Sequence, residues 1–136
     1  MKMQAWLLAP TLTLSAIGIE AQGSPSFDGT WRMTTHRPDA KGVRGGEIVL
    51  SGNSGTWKNY AFKTIETLGN PCVGNTFPLT IKPSTPDADL TFRVTESEKI
   101  VGCPDFDVVM HTVSANRLEG KTASGVEVTM ERDPVR

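Results

Sequence analysis

This chain is short of the residues from which most active sites are built. Its 136 residues include two cysteines, two histidines and one tyrosine, and each shortage narrows the chemistry open to it. Nucleophilic or acid–base catalysis needs a titratable side chain with an orienting partner. His36 lies in the charged stretch Thr35-His36-Arg37-Pro38-Asp39, where a solvated loop histidine is expected. His111 falls on the face opposite Val108 and Met110 of an alternating segment, which places it outward or at a rim. The serine of Gly52-Asn53-Ser54-Gly55 lacks both the Gly-x-Ser-x-Gly spacing and the following helix of a nucleophile elbow. Asp105 and Asp107 share one side of an extended segment, as calcium ligands or paired glycosidase acids do, but flanking the apolar Phe106 they read as a solvated pair. No glycine-rich phosphate loop precedes a helix. The expectation is a protein with no metal, no cofactor and no enzyme activity; a weak catalytic site around His111 and Asp105 ranks third among the functional readings.

Charge of one sign is also lacking. Fourteen Lys and Arg against fifteen Asp and Glu leave a net charge of −1, both signs are interspersed, and no run of five like charges occurs. Nucleic acid and anionic membrane are therefore not expected as main partners.

What is present begins with Lys2, an apolar run over 5–19, and small residues at Ala21 and Gly23. That is the layout of a secretory signal peptide, cleaved after Ala21 or Gly23, so residues 1–23 are expected to leave and 24–136 to form a single domain. The run is shorter than the roughly 18 to 20 residues that cross a bilayer, and Pro10 interrupts it. With no cysteine near the cleavage region, a lipoprotein is not expected. An exported chain enters an oxidising compartment, the periplasm or the exterior, where Cys72 and Cys103 read as a disulfide. A redox or metal-thiolate pair would need a Cys-x-x-Cys spacing or nearby histidines, and neither occurs.

Helical periodicity is missing too. Apolar residues recur at every second position, which predicts an all-β domain. Strands are expected over 31–35, 46–51, 56–67, 77–82, 90–95, 107–114, 117–121 and 126–131, with Pro78 at an edge or a strand start. The expected core comprises Trp31, Met33, Leu50, Trp57, Phe62, Leu79, Phe92, Val94, Val108, Met110, Val128 and Met130. Ser51-Gly52-Asn53-Ser54-Gly55 supplies two glycines for positive φ in a hairpin turn, and 114–116 and 122–125 are further short turns. Sequential hairpins imply a meander of about eight strands, and closure into a small antiparallel barrel hides its edges most directly; a two-sheet β-sandwich is the alternative.

Gly29-Thr30-Trp31, opening the first strand, resembles the Gly-x-Trp start of the calycin barrels, which include lipocalins, avidins and small lipocalin-like protease inhibitors. Cys72, Phe77-Pro78-Leu79-Thr80, Phe92-Arg93-Val94 and Cys103 resemble the disulfide-bearing segment of the dimeric bacterial avidin-like proteins. Avidins line their biotin site with tryptophans on later strands, and here no tryptophan follows Trp57, so the resemblance implies the barrel rather than biotin binding. The exported inhibitors of secreted metalloproteases combine a small barrel, an early Gly-x-Trp and a disulfide; their inhibitory segment precedes the first strand, where Gly23-Ser24-Pro25-Ser26 stands here.

Two readings of the interior follow. A cavity would give Trp57 and Asn59, on one face of their strand, the roles of apolar wall and polar anchor for a ligand, with Trp31 and Tyr60 as further candidates. Against this, an eight-stranded barrel is only just wide enough to be filled by side chains, and a filled core is the favoured expectation. The functional expectation is an exported, non-enzymatic binding module for a small molecule or a protein, with inhibition of a secreted or host enzyme such as a protease or lysozyme as the alternative.

Overall fold

The computed structural model describes residues 26–38, 42–60, 70–83 and 85–134. The expected signal peptide and Phe62 lie outside them. Eight strands form: β1 (Gly29–His36), β2 (Arg44–Ser51), β3 (Ser54–Asn59), β4 (Thr76–Lys82), β5 (Leu90–Thr95), β6 (Asp105–Ser114), β7 (Arg117–Thr122) and β8 (Glu127–Glu131). One 3-10 turn, Glu96–Glu98, follows β5, and no α-helix occurs among the described residues.

Period-two burial drives the arrangement. Trp31 and Met33 on β1, Leu90, Phe92 and Val94 on β5, and Val128 and Met130 on β8 point inward between exposed or half-exposed neighbours. Each strand pairs antiparallel with the next, and β8 returns to β1 over Arg32↔Glu131 to His36↔Glu127. The sheet therefore closes into a barrel with no free edge, and the sandwich alternative falls away. Every described residue of the expected core is buried, joined by Ile48, Phe77, Leu90 and Leu118. Leu118 is hard to see in sequence because it is the one large apolar residue of Arg-Leu-Glu-Gly-Lys-Thr.

Closure requires sharp corners where backbones approach. A Cβ on Gly55 would run into the Val49 carbonyl, and one on Gly120 into the Val109 carbonyl and Met110, so only glycine fits there. This revises the turn expectation: Gly52 takes positive φ (62°), whereas Gly55 lies within β3 and serves close approach. Pro78 precedes the first β4–β5 pair, Leu79↔Val94, so its missing N–H falls at the start of that ladder. β3 ends at Asn59, short of the expected 67, and residues 61–69 are outside the described set.

The two ends of the barrel differ. One end carries the connections 52–53 and 115–116, two residues each, and the longer 83–89. Trp31 seals it: its Nε1 donates to the Phe27 carbonyl at 2.8 Å, and the Arg132 guanidinium lies 4.2 Å from its ring centroid. Arg132 also donates to the carbonyls of Asp28 (2.7 Å), Ser26 (3.1 Å) and Ala115 (3.2 Å). The other end carries 37–43, 60–75, 96–104 and 123–126. The Cys72–Cys103 disulfide joins the second of these to the third across a Cα–Cα distance of 5.6 Å.

Candidate functional site

The mouth at the open end holds a space of about 890 Å³, lined from the barrel wall by Trp57, Asn59 and Glu96 and from outside it by Arg93 and Asp107; below it the interior is filled by Trp31, Met33, Ile48, Phe92, Val108 and Met110, so the expected filled core holds there and gives way at the mouth. The physical reason is the choice of side chains near the mouth: Thr35, Asn59, Thr122, Ala123 and Ser124 line the space, and none has the bulk that Trp31 and Met33 bring to the sealed half.

Alternation along β3 aims Gly55, Trp57 and Asn59 inward. Trp57 is 2% exposed and is held by two aromatic neighbours, Phe106 edge-on at 5.2 Å and Phe92 tilted at 6.1 Å between centroids. Its indole N–H has no hydrogen-bond partner, and neither has the buried Oδ1 of Asn59. A buried polar atom left unpaired costs about 1–3 kcal/mol. Both residues line the cavity, with the unmet donor and the unmet acceptor closed off just beneath its surface.

The inward face of β5, Leu90, Phe92 and Val94, continues by the same parity to Glu96, which is 3% exposed and also lines the cavity. Its backbone carbonyl accepts from the N–H groups of Lys99 (3.1 Å) and Ile100 (3.0 Å). Its carboxyl group has no hydrogen bond or ion pair among the described residues. Burial, reinforced by the negative charge of Asp105, pushes it up to about 7. Asp105 moves the other way: the backbone N–H of Ser97 at 2.9 Å and its hydroxyl at 2.8 Å hold this carboxyl below its ordinary range. The sulfurs of Cys72 and Cys103 lie within 4.8 Å of the Glu96 carboxylate, but they are bonded to each other and offer no thiolate to a metal.

Of the residues singled out from sequence, the structure brings Trp57 and Asn59 together at the cavity. Trp31 sits at the sealed end with its N–H satisfied, and Tyr60 is 46% exposed on the outer face, where odd and even positions of the strand part. Glu96 escaped sequence reasoning because a glutamate after a strand reads as a solvated turn residue; extending the Leu90-Phe92-Val94 parity by one step would have found it. His36 meets Glu127 at 3.3 Å. Asp107 pairs outside the barrel with Arg93 (3.3 Å) and Lys82 (3.4 Å). His111 is exposed opposite Glu119, and six strand positions place it about 20 Å along β6 from Asp105, so the two do not form a site.

No family model matches the chain, and no curated protein does. Among solved structures, a redesigned β-barrel is 17% identical, with 79% of this chain and 91% of that chain covered and a TM-score of 0.48. Fold and cavity together define an eight-stranded meander barrel, sealed at one end and open at the other. No helix among the described residues is long and apolar enough to cross a membrane.

Proposed function

We propose that this protein is an exported, non-enzymatic binding module that takes a small molecule with an aromatic or otherwise apolar body into the open mouth of the barrel. The observation that carries this reading is the unpartnered indole N–H of Trp57, buried in the wall of a cavity of about 890 Å³. Pockets of this size, mostly apolar with a few fixed polar groups, are the usual setting for small ligands. A ligand would pack over the edge of this wall, and a shift of the side chains that close over the Trp57 N–H and Asn59 Oδ1 would let its polar groups pair with them. The disulfide is compatible with an oxidising compartment. A lipocalin-like or avidin-like relationship agrees with Gly29-Thr30-Trp31 opening β1.

A second reading, inhibition of a protease or lysozyme, draws on Val101. This residue is 95% exposed in the 96–104 connection, two positions before the disulfide at Cys103, and an apolar side chain presented on a clamped loop suits insertion into an enzyme pocket.

Titration with N-phenyl-1-naphthylamine, a neutral apolar fluorophore, separates the two. Binding in the mouth gives a blue-shifted emission that saturates at one probe per chain and is lost in Ala123→Trp, which fills the rim. A probe signal that is absent, or that survives this substitution, overturns the cavity reading. Inhibition of a panel of secreted proteases and lysozymes that Val101→Asp abolishes supports the second.

A further inference from the structure

We infer that the mouth of the barrel selects a cationic aromatic ligand, an amine or amidine whose charged group pairs with the Glu96 carboxylate while its ring lies among Trp57 and Phe106. The inference rests on the ligand-binding reading above and names the chemistry of that same site. A carboxylate taken out of water without a partner is costly, and Glu96 has none among the described residues. Trp57 and Phe106 line the same space as Glu96 and supply the apolar surface for the ligand's ring.

The charges around Glu96 point the same way. On its own 3-10 turn and just beyond, Glu98 accepts from the Thr95 hydroxyl at 3.4 Å, and Lys99 donates to the Thr76 carbonyl at 2.7 Å. On β6, Asp105 adds negative charge, held ionised by Ser97. Arg93 on β5 is engaged by Asp107. Arg37 and Arg44 line the cavity from the β1–β2 side. The mouth as a whole is lined by both signs, Arg37, Arg44 and Arg93 with Glu96, Asp105 and Asp107; what favours a cation is local to Glu96, whose carboxylate has Asp105 as its charged neighbour and no cation paired with it among the described residues.

Binding of the cation favours ionised Glu96, so it expels a proton from the fraction still protonated near neutrality and strengthens as pH rises. Calorimetric titration of the intact protein with three indoles of similar shape tests this: tryptamine (cationic), tryptophol (neutral) and indole-3-acetate (anionic). Tryptamine is expected to bind at least about tenfold more tightly than tryptophol at pH 8, and about tenfold more weakly at pH 6 than at pH 8. Glu96→Gln is expected to bring tryptamine to the affinity that this variant shows for tryptophol, at pH 6 and at pH 8 alike. If tryptophol binds and tryptamine binds no better, or indole-3-acetate binds best, the charge selectivity is wrong and the cavity reading stands. If none of the three binds and N-phenyl-1-naphthylamine does not either, the cavity reading fails and takes the inference with it.

Discussion

Arg132 and Trp57 each bury a side-chain nitrogen with no hydrogen-bond partner, and the difference between them separates structure from function. Arg132 leaves only its Nε unmet: its terminal nitrogens donate to three backbone carbonyls and its plane covers the Trp31 ring. Trp57 has a single donor, and that donor is the one left over. Arg132 therefore belongs to the seal, where it ties 26–28 and 115 to the tryptophan of β1. Arg132→Ala should lower the unfolding free energy by about 2–4 kcal/mol, since it removes charge-assisted hydrogen bonds and a cation–π contact together. Urea unfolding measures the loss, and Arg132→Lys should recover only part of it because an ammonium cannot both stack and spread three bonds.

Among elements, the 96–104 connection carries the most weight. It begins with Glu96, still on the inward parity of β5, turns through the 3-10 segment, exposes Val101 and ends at Cys103. The disulfide anchors it to the segment before β4 and so holds two walls of the mouth together. Closing a loop with a sequence separation of 31 stabilises the fold by about 3–4 kcal/mol in the chain-entropy picture. Calorimetric melting of Cys72→Ala/Cys103→Ala should show a clear drop, and a double variant as stable as the parent would contradict the staple role. β7 makes a different contribution: Gly120 lets β6 approach at a barrel corner, a demand that the polar run around Leu118 does not advertise.

For the whole molecule, the inequality of the two ends sets both stability and site. The Trp31–Arg132 seal closes the interior at one end, while small inward residues such as Thr35, Asn59 and Thr122 line the mouth at the other. The buried acid at the open end has a measurable consequence for the fold. Glu96 is raised from 4.5 to about 7, so its contribution is full below pH 4.5 and is lost as pH rises through 7. Asp105 is lowered from 3.8, so its contribution holds above that value and is lost as pH falls below it. Together they place maximum stability on the acid side of neutrality. Unfolding free energies at pH 5, 6, 7 and 8 should decline in the parent chain, and Glu96→Gln should flatten that decline.

Much of the barrel was legible in the chain itself. Alternation picked out Trp31, Met33, Leu50, Phe92, Val94, Val128 and Met130 as inward, and the short turn sequences over 51–55, 114–116 and 122–125 implied neighbouring antiparallel strands, because a short connection leaves no other partner within reach. The cysteine pair named its own bond. Half of the candidate site was legible too: strand parity alone puts Trp57 and Asn59 on one face of β3. What alternation cannot say is where along the barrel axis a residue sits. Trp31 and Trp57 are equally aromatic and equally inward, yet one closes an end and the other faces a cavity, because β1 enters where Arg132 and residues 26–28 converge and β3 leaves beneath the long connections. Whether the interior is full, and whether Glu96 lies in water or in the wall, depends on the summed volumes of side chains contributed by strands far apart in sequence. Local pattern determined the strands, their faces and the staple; only closure of the sheet, which brings β8 to β1 and stacks unrelated positions at one level, decided that this barrel has a mouth with an unpaired acid and an unpaired indole in its wall.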